Sequence, residues 1–306
     1  MEKKKITKKR KKEIIFICVM LFYPLLQFIV TWAFVNINSI ILAFQKISFE
    51  GDVTFAGLDN FKQIFTNPGT TLTVWGTKIP NILLILINSL SYSLVNIFIS
   101  LPLALLSSYF LSKKMPLSNV FRFIFFLPNI ISVVALIYAF RMQLDSSAGL
   151  IYHLLNNMGI KINDTQWPHT TVIVLCYCVW AGLGYNVLLL SGAIGRIPKE
   201  LFESAQMDGA GSFKEFTKIM IPMIWPTIVT LIVLGMTSIL TLYLQPVLFE
   251  LNSTETIAGT IFEGVNQGKN QYPYYSALGL FFSFIFAPLI LVARKFLSKR
   301  YSDVDC

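Results

Sequence analysis

An all-α protein that crosses a membrane several times is the fold class this sequence predicts, and three observations predict it. Its 306 residues are 55% hydrophobic and only 13% charged, with a mean hydropathy of +0.64, well outside the range of soluble globular domains. Six stretches reach the length of about 20 apolar residues that a helix needs to cross a hydrocarbon core of about 30 Å. Lys and Arg also gather in alternate connections: nineteen of the twenty-five lie in residues 1–13, 113–122, 196–218 and 294–300. The positive-inside rule then sets both termini in the cytoplasm.

Taken in order, residues 1–13 (MEKKKITKKRKKE) carry eight Lys or Arg and form a basic cytoplasmic N-terminus. This is read as a topology signal rather than a nucleic-acid site. It is not read as a cleaved signal peptide, because the apolar run behind it is too long for one and lacks a small-residue cleavage site. The transmembrane domain, 14–306, holds expected spans at 14–44, 79–111, 120–140, 171–194, 221–249 and 274–296. Between the first two, GLDNFKQIF in the external segment 45–78 suggests a short surface helix. Pro102 predicts a kink in the second span, with neighbouring helices or Ser100 satisfying the freed carbonyl. In the loop 142–169, Leu150, Ile151, Leu154 and Leu155 recur at helical spacing and predict an amphipathic helix along the outer interface. His153 lies on it, and with His169 the only other histidine, no metal site is expected.

The fourth span carries Ala181, Gly182, Gly184, Ser191, Gly192 and Gly195, small residues that let helix backbones approach closely. Its Trp180, Tyr185 and Asn186 suit an interfacial belt and interhelical hydrogen bonds as well as solute contact. Pro222 and Pro226 at one end and Pro246 at the other predict a fifth span bent at both ends. Cys18, Cys176 and Cys178 fall in apolar spans and Cys306 is terminal, so no disulfide framework is implied.

The connection 195–220 is different in character, a charged helical hairpin between two apolar spans. Pro198 presets a first helical turn, Lys199 to Asp208 runs without a breaker, and Gly209 offers the left-handed conformation that closes a helix. Ser212 and Glu215 have capping-box spacing for a second helix. Leu201, Phe202 and Ala205 share one side of the first helix, with Glu203 turned away. Such a helix suits a groove on another protein, though it also serves simply to join two spans.

The residues Glu203, Ser204, Ala205, then Gly209, Ile219, Ile221 and Pro222 resemble the EAA motif of permease subunits in ATP-binding-cassette (ABC) importers. Ser204 and Ile221 are its two departures. IPKELFESAQMDGA and FRFIFFLPNIISVVAL are similar to segments of the carbohydrate-uptake branch of that family. The resemblance implies a bacterial plasma-membrane permease that brings in a carbohydrate, as a neutral oligosaccharide or related sugar. It implies four kinds of neighbour: a second homologous permease (as a heterodimer), two cytoplasmic ATPase subunits, an extracellular solute-binding protein and the lipid bilayer. It assigns Leu201, Phe202, Glu203, Ser204, Ala205, Asp208 and Gly209 to ATPase coupling. The same architecture importing a modified glycan or another solute, or a non-transporting scaffold, are the alternatives.

Enzymatic chemistry is hard to find. Gly268–Lys269 lacks the spacing of a phosphate-cradling loop, and no His-Glu-x-x-His or Gly-x-Ser-x-Gly occurs. No ATPase activity, catalytic residue or cofactor is therefore expected in this chain. The middles of the spans carry no ionisable residue, which argues against proton coupling and suits a neutral solute. Tyr177, Tyr185, Asn186, Tyr243 and Gln245 are the aromatic and neutral polar side chains that suit its path.

Overall fold

The computed structural model describes residues 8–66, 71–74, 77–113, 117–146, 149–158, 169–251 and 253–299. Pro68, Lys114, Lys161, Pro168, Arg300 and Cys306, most of the basic N-terminus, and the side chains of Lys78 and His169 lie outside the described residues.

Four unbroken helices are long and apolar enough to cross a membrane: Arg10–Ala43, Asn81–Ser112, Thr170–Ile194 and Lys269–Ser298. The other two expected spans are broken. Ser118–Ile130 and Val133–Gln143 meet at 99°, and Ser212–Met223 and Trp225–Thr241 meet at 75°.

The break in the third span corrects the expectation of one continuous helix over 120–140. Pro128 has no N–H to give the preceding turn, and three residues later the backbone is extended at Ile131 (ψ 145°) and Ser132 (ψ 127°). The Asn129 amide donates to the Ala181 carbonyl at 3.3 Å, tying this corner to the helix Thr170–Ile194. Close backbone contact fixes the same pair: a Cβ on Gly184 would lie 1.9 Å from the Phe125 carbonyl oxygen. Gly182 and Gly192 meet no comparable neighbour.

The fifth span bends where its prolines predict, at Ile224 between Pro222 and Pro226. It stops again at Leu242, and Leu244–Phe249 forms a separate helix. Pro102 acts differently from expectation. The second span stays continuous and takes a π-helical register over Asn96–Ser100, where the Leu101 N–H reaches back to the Asn96 carbonyl. Ser100 is engaged elsewhere, accepting from the Asn186 amide at 3.5 Å.

Outside the spans, two antiparallel hairpins qualify the all-α class, Gln45–Ile47 with Val53–Phe55 and Thr71–Val74 with Thr77–Pro80. The helix foreseen in GLDNFKQIF is Asp59–Thr66. It docks on the bundle, with Ile64 fully buried and Phe65 edge-on to Phe281 at 5.3 Å. Buried Asn60 donates to the carbonyls of Ala43 (2.8 Å) and Gln45 (2.7 Å), satisfying acceptors where the first helix ends. The amphipathic helix expected in the loop 142–169 is Leu150–Asn157, with Leu150 and Leu154 exposed.

A further helix, Ile257–Asn266, packs among the second, fifth and sixth spans. Its N-terminus is held by a buried polar knot. Asn88 donates to the carbonyls of Ser253 (2.9 Å) and Glu255 (3.0 Å), Thr171 donates to Asn88 (3.3 Å), and Ser89 accepts from the Ile257 N–H (2.9 Å). Thr256 caps the helix by accepting from the Gly259 N–H at 3.1 Å, and its hydroxyl donates to the Leu242 carbonyl at 2.6 Å, at the end of the fifth span.

Candidate functional site

Residues 195–220 fold as the hairpin that the sequence predicts. Pro198 takes the N-cap position with extended backbone, one place earlier than expected, and the helix runs Lys199–Met207. It closes on Gly209 at φ +73°, with the Gly209 N–H on the Gln206 carbonyl (3.0 Å) and the Ala210 N–H on the Ala205 carbonyl (2.9 Å). This pair of bonds is the Schellman closure, and the left-handed residue at its centre favours glycine.

The capping box does not form, because Gly211 holds the N-cap position and Glu215 is drawn away. The Glu215 carboxylate is 3% exposed and accepts from the Lys113 ammonium at 2.7 Å, across to the end of the second span. Nearby, the Tyr109 hydroxyl donates to the Ser212 carbonyl (3.0 Å) and its ring meets Phe216 edge-on at 5.2 Å. Partial burial pulls the Lys113 pKa down, but hydrogen bonds with Glu215 and Tyr109 outweigh it and leave the ammonium above its usual value. The second half of the hairpin is thus latched to the second span by a charged pair and an aromatic contact.

The first half divides its apolar side chains. Phe202 leans on the core formed by the second, fourth and fifth spans, and Ala205 is half-buried. Leu201, expected beside them, is 40% exposed. Met207 and Phe213, not foreseen, are 89% and 78% exposed, so the outer surface of the hairpin is more apolar than the helical pattern suggests. The available signal was that neither side chain belongs to the Phe202 stripe. Glu203, Ser204 and Asp208 are exposed. Glu203 also lines a cavity of about 400 Å³ between hairpin and bundle, together with Lys113, Arg122 and Lys199.

The five expected path residues sit in different surroundings. Tyr177 is 1% exposed, enclosed by Phe140, Trp180 and Phe249. Asn186 is buried on Ser100, whereas Tyr185 on the same helix is exposed. Tyr243 sits at the break ending the fifth span, against Phe262 at 5.0 Å, with half-buried Gln245 just beyond. Among the described residues, no three His, Cys, Asp or Glu side chains cluster as a metal site would require.

Residues 96–301, which include both broken spans and the hairpin, match the family model described as the binding-protein-dependent transport system inner membrane component. The chain belongs to this family. As a binding-protein-dependent inner membrane component, it is a multi-pass membrane protein and a transport subunit rather than an enzyme. The arabinooligosaccharides transport system permease protein AraP of Bacillus subtilis (strain 168) is 25% identical over 280 residues, covering 88% of this chain and 84% of that protein. The polygalacturonan/rhamnogalacturonan transport system permease protein YteP of the same organism is 26% identical over 298 residues, covering 92% and 86%. A chain of a bacterial ABC transporter involved in the import of the acidic polysaccharide alginate superposes with a TM-score of 0.74, at 22% identity, over 95% of this chain and 98% of its own. That last likeness is one of fold.

Proposed function

We propose that this chain is one membrane subunit of an ABC importer in a bacterial plasma membrane, passing an oligosaccharide inward with both termini cytoplasmic. The observation that carries the reading is the hairpin: a helix closed on Gly209, supported from behind by Phe202, with Leu201, Glu203, Met207 and Phe213 left uncovered. Such a rigid, partly apolar ridge with one acidic group suits the groove of a cytoplasmic ATPase subunit. Leu201, Phe202, Glu203, Ser204, Ala205, Asp208 and Gly209 are the coupling residues in this reading. Phe202 and Ala205 support the helix, and Met207 and Phe213 add to the contact. Two ATPase subunits, a second homologous permease forming a heterodimer and an extracellular solute-binding protein complete the importer. Binding and hydrolysis of ATP belong to the ATPase subunits, and this chain needs no cofactor of its own.

Force on the hairpin has two short routes into the bundle. One is the latch from Glu215 and Ser212 to the second span, and the other is the bend at Ile224 that leads into the fifth. Rotation of these helices as near-rigid bodies would switch the side to which the path opens. Within that path, Tyr185, Tyr243 and Gln245 reach a surface, while Tyr177 and Asn186 shape the wall from behind.

The solute class rests on relatives whose names include both a neutral arabinooligosaccharide and an acidic polygalacturonan. The neutral sugar suggested by the uncharged span interiors is therefore tested against an acidic one. The experiment expresses the tagged chain in its host, identifies copurifying proteins by mass spectrometry, and measures uptake of labelled neutral and acidic oligosaccharides. An ATPase and a second permease should copurify. Glu203→Lys should lose the ATPase and lower uptake roughly tenfold or more, as charge reversal at a desolvated contact does. Recovery of the chain alone, under conditions that preserve a known importer, would bring the scaffold reading forward.

A further inference from the structure

Two cavities meet at the end of the bundle that carries the hairpin. The first, of about 400 Å³, is lined by Lys113, Arg122, Ser191, Lys199, Glu203 and Glu215. The second, of about 240 Å³, is lined by Arg122, Gly184, Val187, Leu188, Ser191 and Gly192. They share Arg122 and Ser191, and they differ in chemistry. The first is charged and lies under the hairpin. The second is a mostly apolar groove along the helix Thr170–Ile194, bounded by Ser118–Ile130 where Gly184 touches Phe125.

The charges in the first cavity leave a cationic remainder. Lys113 is taken up by Glu215. Neither Arg122 nor Lys199 has a carboxylate within ion-pair distance among the described residues, although Glu203 lines the same cavity. Among the described residues Arg122 gives one hydrogen bond, to the Leu111 carbonyl at 3.5 Å, which engages one of its several N–H donors. At the junction, the buried Ser191 hydroxyl has no hydrogen-bond partner among the described residues. A cationic mouth with an unsatisfied hydroxyl, opening into an apolar groove on a membrane-spanning helix, matches the two parts of an anionic phospholipid.

We propose that an anionic phospholipid binds here, its phosphate held by Arg122, Lys199 and Ser191 and one acyl chain lying in the groove over Gly192. Arg122 suits the phosphate because its planar fork donates two parallel hydrogen bonds. Basic pockets between membrane helices are physically suited to such headgroups. Since Arg122 belongs to the bundle and Lys199 to the hairpin, the lipid acts as a removable strut between them. This rests on the chain lying in a membrane, which the family establishes, and not on the ATPase contact.

Gly192 supplies the decisive test. A Cβ there would meet nothing within 4 Å, so the side chain of Gly192→Leu starts in open space and extends into the groove. The full chain with its copurifying partners is placed in nanodiscs containing phosphatidylglycerol or phosphatidylcholine, and retained lipid is measured by native mass spectrometry after extraction. Phosphatidylglycerol should be retained in preference. At about fivefold per cation, Arg122→Gln with Lys199→Gln should weaken retention by roughly 25-fold. Gly192→Leu should lose retention while its unfolding temperature stays that of the parent. Equal retention of the two lipids would overturn the role of charge. Retention unchanged in Gly192→Leu would overturn the acyl-chain assignment, and so would full occupancy by inorganic phosphate, which marks a soluble anion as the ligand. A partner protein cross-linked over Gly192 would show that the groove is an interface, and would equally overturn the proposal.

Discussion

Two polar knots hold this bundle together, one at each end, and they are built from different chemistry. At the hairpin end the knot is charged and lies at the rim: Lys113, one-third exposed, holds the carboxylate of Glu215, with Tyr109 reaching the Ser212 backbone. At the other end Asn88, Ser89 and Thr171 are buried, and most of their hydrogen bonds engage the backbone of residues 253–257. The difference follows from solvation. A buried carboxylate such as Glu215 can be used where its cationic partner still reaches water, as Lys113 does, whereas deep in an apolar bundle neutral amides and hydroxyls satisfy carbonyls at far lower cost. The rim knot is therefore suited to adjust under load, and the buried knot to fix one arrangement.

That contrast can be broken first at Asn88. Asn88→Leu removes the amide that serves the Ser253 and Glu255 carbonyls and leaves the Thr171 hydroxyl only its 3.5 Å bond to Ser253, and should cost about 2 to 5 kcal/mol, read as a lower unfolding temperature in detergent. Glu215→Gln keeps the shape but removes the charge. It should cost about 1.5 to 3 kcal/mol and speed hydrogen exchange over the hairpin while leaving residues 253–257 protected. Gly209→Val forces a branched side chain into a left-handed conformation with open space around it. It should cost about 1 to 2 kcal/mol, confined to the Lys199–Met207 helix, and should lower uptake more than it lowers the unfolding temperature.

Acidity sharpens the comparison with the smallest effect. Burial, and then the charge of Glu255, raises the Glu263 carboxyl above its usual value on the helix that the buried knot anchors. A raised carboxyl binds its proton more tightly when folded, so that end should gain stability as pH falls toward the carboxylate range. Glu263→Gln should abolish the gain. The raised Lys113 ammonium contributes stability that is present below the ordinary lysine range and lost only as pH rises through its folded value. The hairpin end should therefore show no Lys113-dependent change across neutral pH in the same exchange experiment.

The sequence made the spans and the hairpin legible because both rest on local signals: apolar length, proline position and a glycine that closes a helix. The bend at Ile224 was legible for the same reason, since two prolines flank it. The corner at Ile131 was not, because apolar length is the same for a crossing helix and for one broken midway. What fixes that corner is contact with Ala181 and Gly184, far along the chain. Glu215 illustrates the same limit within the hairpin. Its spacing from Ser212 promised a local cap, but a lysine 102 residues earlier in the chain offered a stronger partner. The buried knot on residues 253–257 was invisible because serine, threonine and asparagine inside a span look alike whether they face lipid or a neighbouring backbone.

The first helix sets the order in which this molecule can be completed. Most of Arg10–Ala43 is exposed along its length, and it is the stretch Phe34–Ala43 that packs against Tyr272–Ser298, a helix made more than two hundred residues later. A ribosome must therefore deliver residues 272–298 before the stretch Phe34–Ala43 finds that seat, and until then its ties run to the nearby segment Asp59–Thr66, through Asn60 on the Ala43 carbonyl. Nascent chains stalled before residue 272 should keep the first helix open to cross-linking by the insertion machinery, and release of the full chain should close it.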